Sequence, residues 1–83
     1  MESNIEVGTR IYYTGDMAND PAWGTVVMQR GGYCDIQQDN GHLMASILLC
    51  AIGHRYNGTC NPRFVTETAY HAWRAERLAA YRR

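Results

Sequence analysis

Cysteines and histidines are the residues of this chain best suited to chemistry, and the best-spaced set is Cys50, His54 and Cys60. Cys34 or His42 would supply a fourth ligand. Structural zinc sites usually pair their ligands across two to four intervening residues on each side. Three residues lie between Cys50 and His54, but five lie between His54 and Cys60, so the second interval does not fit this pattern. We therefore favour three reduced, buried thiols over a zinc site and predict no cofactor.

Nucleophilic catalysis would need a cysteine or serine held beside a histidine. Cys34 and Ser46 are available, but no Gly-x-Ser-x-Gly segment surrounds either of them. The pair Gly31-Gly32 lacks the lysine and the spacing of a phosphate-binding loop. Because a domain of this size offers little cavity for a substrate, we predict that the protein is not an enzyme.

Four aspartates lie in or beside predicted turns: Asp16, Asp20, Asp35 and Asp39. Aspartate side chains commonly accept hydrogen bonds from free backbone amides in turns. We therefore interpret them as turn caps and not as catalytic carboxylates. Asp16 and Asp20 also make the first long loop acidic, so we include them among the candidate residues for contact with a partner.

Aromatic residues are the stronger candidates for binding. Tyr12, Trp23 and Tyr33 flank the first loop and the Gly31-Gly32 turn, and together they could form an exposed patch that grips a peptide or stacks on a base. The alternative is that aromatic side chains fill a small core and the seam beneath a helix. We favour packing for three other aromatic residues, Phe64, Tyr70 and Trp73. Both interpretations stay open for Trp23, which lies beside the acidic first loop.

Charge is distributed unevenly although the formal net charge is zero. Residues 1–53 hold six acids against two arginines, and residues 54–83 hold six arginines against two acids. All eight cations are arginines, whose planar guanidinium suits carboxylates, phosphates and aromatic faces; a GC-rich genome would give the same bias. Arg74, Arg77 and Arg82 are candidate contact residues on the predicted helix, and we expect the Arg77 stem to lie along its apolar stripe.

One domain is expected for residues 1–83, because a split would leave two pieces too small to bury a core. Alternating residues in segment 9–14 place Ile11 and Tyr13 on one face and Tyr12 on the other. Strands and turns continue to residue 65, so we predict a five-stranded antiparallel barrel over 7–65. A two-residue turn at Asn40-Gly41 would pair Gln38 with Leu43 and Ile36 with Ala45.

A C-terminal helix is predicted over residues 66–82, with Thr66 as its N-cap and Arg82 and Arg83 in its last turn. We expect Glu67 and His71, four residues apart, to pair. One stripe of the helix is apolar and is predicted to pack on the barrel. Its members are Ala69, Tyr70, Trp73, Ala80 and Tyr81, with Leu78 at the edge.

The order of strands and turns over residues 7–65, with Gly24 opening the second strand and Asp39-Asn40-Gly41 before the fourth, resembles SH3-like barrels of the KOW or Tudor kind. The segment from Tyr12 to Asn19, together with Arg63 to Glu67 and Trp73-Arg74, is similar to short uncharacterised accessory proteins of phages and plasmids. That resemblance implies a protein that binds and inhibits a host or defence complex, such as a CRISPR effector. The acidic barrel departs from nucleic-acid-binding KOW domains, which are usually basic.

Three functions follow as hypotheses. The first is a small binding module that docks on a protein partner. The second is a nucleic-acid-binding domain that uses the C-terminal arginines, against which the pI near 6.8 argues. The third is a self-associating structural protein whose acidic barrel meets the arginine helix of a neighbour. The acidic start of the chain and its lack of a long apolar stretch predict a cytoplasmic protein without membrane contact.

Overall fold

A computed structural model describes residues 5–82, which form one curled sheet and one helix. The elements in chain order are β1 (Arg10–Tyr13), β2 (Ala22–Arg30), β3 (Tyr33–Gln38), β4 (Leu43–Leu48), a 3₁₀ turn (Leu49–Ala51), β5 (Ile52–Gly53), β6 (Phe64–Thr66) and α1 (Glu67–Tyr81). The predicted mainly β architecture with a C-terminal helix is therefore confirmed.

The sheet has the strand order β4-β3-β2-β1-β6-β5 and curls into half a barrel. Neighbouring strands are antiparallel except β5 and β6, which run parallel. The prediction of a five-stranded antiparallel barrel was therefore wrong in the number of strands and in the direction of one pair. The reason is segment 54–63, which carries the chain back along the sheet as a crossover, so that β6 starts at the same end as β5.

The inner face of the sheet carries the core. In β1, Ile11 and Tyr13 are buried whereas Arg10 and Tyr12 are partly exposed, so the predicted alternation is confirmed. Apolar side chains from five strands and the N-terminal segment pack together inside the curl. They are Ile5, Ile11, Tyr13, Val26, Cys34, Ile36, Ile52 and Phe64.

A second apolar layer lies on the outer face, where α1 packs on β1 and β6. Val65 is fully buried and Ala69 is nearly so, yet neither belongs to the inner cluster. Since successive strand residues point to opposite faces, Phe64 enters the inner core and Val65 lies beneath the helix. The short strand β6 therefore contributes to both layers.

The hairpin between β3 and β4 has a different register from the predicted one. Gln37 lies opposite Leu43 and Ile36 opposite Met44, so the pairing of Ile36 with Ala45 was wrong. The cause is a turn with one more residue: the amide of Gln38 donates to the carbonyl of His42, which encloses residues 39–41. Gly41 has a φ of +97°, as three-residue hairpin loops require at their last position.

The start of the helix matches the prediction. The Thr66 hydroxyl accepts a hydrogen bond from the amide of Ala69 at 3.1 Å, which makes it the N-cap. The helix ends at Tyr81 and Arg82 is its C-cap, so Arg82 follows the last turn. The predicted position of Arg83 lies outside the described residues.

The apolar stripe of α1 packs on the sheet for only half of its length. Ala69 is buried and Tyr70 and Trp73 are half-buried, but Ala80 and Tyr81 are exposed. The prediction that the whole stripe packs on the barrel was therefore wrong for its C-terminal members. We call residues 67–73 the near half of the helix and residues 74–82 the far half.

Candidate functional site

Five rings from four parts of the chain join α1 to the sheet, and we call Tyr12, Trp23, Tyr56, Tyr70 and Trp73 the aromatic cluster. The Tyr12 ring centroid lies 5.0 Å from that of Trp23 and 4.6 Å from that of Tyr70. Tyr56, in segment 54–63, lies 4.6 Å from Trp73. Burial raises the pKa values of the Tyr12 and Tyr56 hydroxyls. The near half of the helix is thus held by aromatic contacts.

Arg10 packs against one side of this cluster, over the ring of Trp23. Its guanidinium binds the carboxylate of Asp39 through two hydrogen bonds of 2.8 Å, and the guanidinium carbon lies 5.5 Å from the Trp23 ring centroid. The hydrogen bond from Arg10 lowers the pKa of Asp39. Such two-pronged pairs fix the guanidinium plane, so Arg10 acts here as a structural clamp.

Asp16 organises the loop between β1 and β2. One carboxylate oxygen accepts hydrogen bonds of 2.7 Å from the amides of Ala18 and Asn19, and the other accepts from the Tyr13 hydroxyl. The Arg63 guanidinium lies 3.6 Å from that second oxygen. The Tyr13 and amide hydrogen bonds lower the pKa of Asp16 to about 2. Its interpretation as a turn cap is confirmed.

The other aspartates differ from one another. Asp35 accepts a hydrogen bond of 2.9 Å from the amide of Ser46, which has a φ of +59° at a bulge in β4. Asp39 is bound by Arg10, so it serves as an ion-pair partner and was wrongly interpreted as a turn cap. Asp20 is exposed in the same loop as Asp16, and its side chain makes no hydrogen bond within residues 5–82.

The far half of α1 presents an exposed surface of mixed character. Trp73, Arg74, Arg77, Leu78 and Tyr81 line a groove of about 400 Å³. Leu78 is 44% exposed and Tyr81 is 88% exposed. The Arg77 guanidinium carbon lies 5.3 Å from the Trp73 ring centroid, so the side chain reaches an aromatic face of the stripe along which its stem was expected to lie.

The arginines of the far half have no acidic partner. Within residues 5–82, no ion pair involves Arg74, Arg77 or Arg82. The predicted contact between Glu67 and His71 does form, at 3.5 Å, but it lies in the near half. The far half therefore combines uncompensated positive charge with exposed apolar surface.

The predicted patch of Tyr12, Trp23 and Tyr33 is not one surface. Tyr12 and Trp23 face each other across β1 and β2 and belong to the aromatic cluster. Tyr33 lies at the other end of β2 and β3, opposite Arg30, and is 51% exposed. Among residues 5–82 no ring contact involves Tyr33. The structure thus separates two half-buried packing residues from one exposed tyrosine.

The thiols and histidines do not assemble into a metal centre in the part of the chain that the structure describes. No three cysteine, histidine or acidic side chains of residues 5–82 converge closely enough to hold an ion. Cys34 is buried as predicted, but Cys50 and Cys60 are exposed, so their predicted burial was wrong. They lie in the 3₁₀ turn and in segment 54–63, outside both apolar layers.

Segment 54–63 supplies contacts that the sequence analysis missed. Tyr56 joins the aromatic cluster, and a methyl group on Gly58 would lie 3.0 Å from Nε1 of Trp73. Gly58 has a φ of +88°, so glycine serves both the backbone and the close approach there. A tyrosine two residues before a glycine in an otherwise polar segment was the available signal.

Comparison with known proteins finds no matching family model, curated protein or solved structure. Among residues 5–82, no helix is long and apolar enough to span a membrane.

Proposed function

We propose that this protein is a small non-enzymatic binding module that docks on a protein partner through the far half of α1. The observation that carries the proposal is the combination of exposed Leu78 and Tyr81 with arginines that have no acidic partner among residues 5–82. Tyrosine and arginine are enriched at the energetic centres of protein interfaces. The sheet then serves as the scaffold that holds this helix.

The chemistry of the far half defines the partner. The far half is positively charged, since it carries one acid, Glu76, and three arginines, Arg74, Arg77 and Arg82. A partner that fits would present carboxylates around an apolar strip able to cover Leu78 and Tyr81. Complementary charge of this kind raises the rate of association and excludes basic partners.

The proposal also includes a relation of the fold to SH3-like barrels and a phage or plasmid origin of the protein. The meander of β1 to β4 and the return of β6 to β1 support a relation to SH3-like barrels. The resemblance of Tyr12 to Asn19 to accessory proteins of phages and plasmids supports an inhibitor of a host or defence complex, for which a CRISPR effector is one candidate. In that role the acidic, partly apolar surface would belong to a subunit of the target complex.

A second function is supported by the same side chains. Arginines beside the exposed Tyr81 could bind phosphates while the ring stacks on a base. Phosphate binding predicts an affinity that falls steeply between low and moderate salt. Fluorescence anisotropy with labelled single-stranded and double-stranded oligonucleotides, titrated with salt, tests this alternative.

The main proposal is tested by capture from a lysate of the source cells with nuclease added. Wild-type protein is compared with the double variant Arg74→Glu, Arg77→Glu and with Arg55→Glu, which changes an exposed arginine outside the far half. We expect a protein held by the wild type and by Arg55→Glu to be lost from the double variant. Retention of the same proteins by all three would contradict the proposal.

A further inference from the structure

The outer face of the sheet is covered by α1 over β1, β6 and the start of β2, where Trp23 packs against Tyr70. The rest of β2 and the neighbouring strands β3 and β4 carry exposed apolar side chains. Three large apolar side chains are exposed there: Met28 at 46%, Tyr33 at 51% and Leu48 at 45%. On the same strands, Val27 of β2 and Leu43 at the other end of β4 are exposed to a similar degree. This is the largest group of exposed apolar residues on adjacent strands within residues 5–82, and such groups mark interaction surfaces.

Strand register places these residues on one face. Tyr33 lies opposite Arg30 on β2 and opposite Leu48 on β4, and Met28 lies opposite Asp35. Paired residues of antiparallel strands point to the same side. We call Met28, Arg30, Tyr33, Asp35 and Leu48 the bare face.

The bare face carries one charge of each sign. Arg30 forms no ion pair within residues 5–82. Asp35 accepts one hydrogen bond from the amide of Ser46, and its other carboxylate oxygen makes no hydrogen bond or ion pair within residues 5–82. An interface between identical copies must be complementary to itself, and an apolar centre with one cation and one anion meets that condition.

We propose that the bare face is the interface of a homodimer. Two copies pack face to face about a two-fold axis, with Met28, Tyr33 and Leu48 at the centre and Arg30 of each copy facing Asp35 of the other. The far half of α1 is unsuited to the same two-fold contact, because the same surface of a second copy would bring its own excess of arginines against Arg74 and Arg77. Its chemistry calls for an acidic partner, whereas the bare face suits a second copy.

Dimensions of the bare face set the expected affinity. β3 and β4 have six residues each, and the adjoining end of β2 completes a three-stranded face of roughly 14 by 20 Å, or about 280 Å². That area is less than the roughly 800 Å² per partner of a stable complex. Interfaces of this class are weak and transient. We therefore expect a dissociation constant between about 10 µM and 1 mM.

Sedimentation equilibrium of the full chain tests the proposal. Protein concentrations of about 10 µM to 1 mM cover the dissociation constants expected for a small interface. We expect Met28→Glu to raise the dissociation constant at least about tenfold, since it buries a charge at the centre of the interface. Leu78→Glu is the matched control, because Leu78 is exposed to the same extent on the far half. This control should leave dimerisation unchanged.

A charge variant makes the test independent of Met28. Arg30→Asp replaces an exposed residue at the end of β2, and it should weaken the dimer as Met28→Glu does. Circular dichroism confirms that each variant keeps its sheet, and Arg30→Asp decides the question if Met28→Glu does not fold. A wild-type monomer at every concentration, or equal weakening by Leu78→Glu, would overturn the proposal.

The two proposals fail separately. Met28→Glu should weaken dimerisation and leave capture of a partner protein intact, whereas the double variant Arg74→Glu, Arg77→Glu should do the reverse. A dimer without a captured partner supports the bare face alone.

Discussion

The two halves of α1 share one apolar stripe, but this stripe is covered by the sheet in the near half and exposed in the far half. In the near half, Ala69 is buried and the Tyr70 ring contacts all four other members of the aromatic cluster. In the far half, Leu78 and Tyr81 continue the apolar stripe but are exposed. An apolar period thus identifies the face of a helix that avoids water, but it does not show how far a covering surface extends.

Geometry explains where the cover ends. A helix of 15 residues is about 22 Å long. The strands beneath it have four and three residues, which extend over about 13 Å and 10 Å, and they lie about 5 Å apart. The helix is longer than this pair of strands, whether it runs along them or across them. The longest dimension of the molecule, 44 Å, agrees with a helix that extends past the pair. The far half therefore extends past β1 and β6, and its side chains Leu78 and Tyr81 stay exposed.

The largest expected difference between the halves comes from two tyrosines on the same stripe. Tyr70→Ala should lower the free energy of unfolding by about 2–3 kcal/mol, because it removes a half-buried ring from the aromatic cluster. Tyr81→Ala should change it by less than about 0.5 kcal/mol. Urea denaturation of both variants measures the difference. Equal losses would mean that the far half is packed in solution.

The contact between Gly58 and Trp73 gives the next largest effect. Gly58→Ala should destabilise the protein by about 1–2 kcal/mol, because alanine is strained at a positive φ and its methyl group would press on the indole. Gly31→Ala is a control, since that residue also has a positive φ but no atom lies within 4 Å of the added methyl. Thermal unfolding should show the larger loss for Gly58→Ala.

The cap at the start of the near half has a smaller effect. Thr66→Ala should cost about 1 kcal/mol, because the amide of Ala69 loses its acceptor. Thr68→Ala changes an exposed threonine inside the first turn and should be nearly neutral. Hydrogen exchange should show the loss in the first turn of the helix. Faster exchange in the far half alone would contradict this expectation.

Acid should act through Asp16, in the loop between β1 and β2, and give the smallest effect. The pKa of Asp16 is about 2 in the folded protein and 3.8 in the reference state, so its stabilising contribution is complete above about pH 4 and is lost as the pH falls towards 2. Its protonation weakens the contacts of Asp16 with Tyr13 and with Arg63, the residue before β6.

Urea denaturation between pH 5 and pH 2 checks this expectation, over the range in which Asp16 changes charge. The stability advantage of wild type over Asp16→Asn should shrink as the pH falls. Asp20→Asn, in the same loop, is the control. A constant difference between wild type and Asp16→Asn would contradict the assigned role of Asp16.

Local patterns predicted much of the fold. The alternation of Ile11, Tyr12 and Tyr13 and the cap at Thr66 depend on neighbours within a few residues, and both are confirmed. The hairpin register depends on whether the turn closes at Asp39 or at Gln38. That choice adds one residue and places Met44 instead of Ala45 opposite Ile36. The Asn-Gly pair is compatible with both turns.

The candidate site was less predictable for the same physical reason. The arginine face and the position of Arg77 follow from helical spacing, but the separation of Tyr33 from Trp23 depends on strand length. Gly24 marks only where β2 begins, and nothing local shows that Tyr33 lies at its far end. The roles of Tyr56 and Gly58 depend on how segment 54–63 returns to the helix, which no short pattern encodes.

Trp73 has an optical consequence for the study of binding. Its indole lies so close to Gly58 of segment 54–63 that an added methyl group would be 3.0 Å from Nε1. The guanidinium of Arg77, which belongs to the far half, lies over the same ring. A partner carboxylate that draws Arg77 away would change the polarity and the charge around the ring, and hence its emission. Trp23 is the only other tryptophan in the sequence. A Trp23→Phe variant would therefore convert the protein into its own label-free fluorescent sensor of occupancy at the far half.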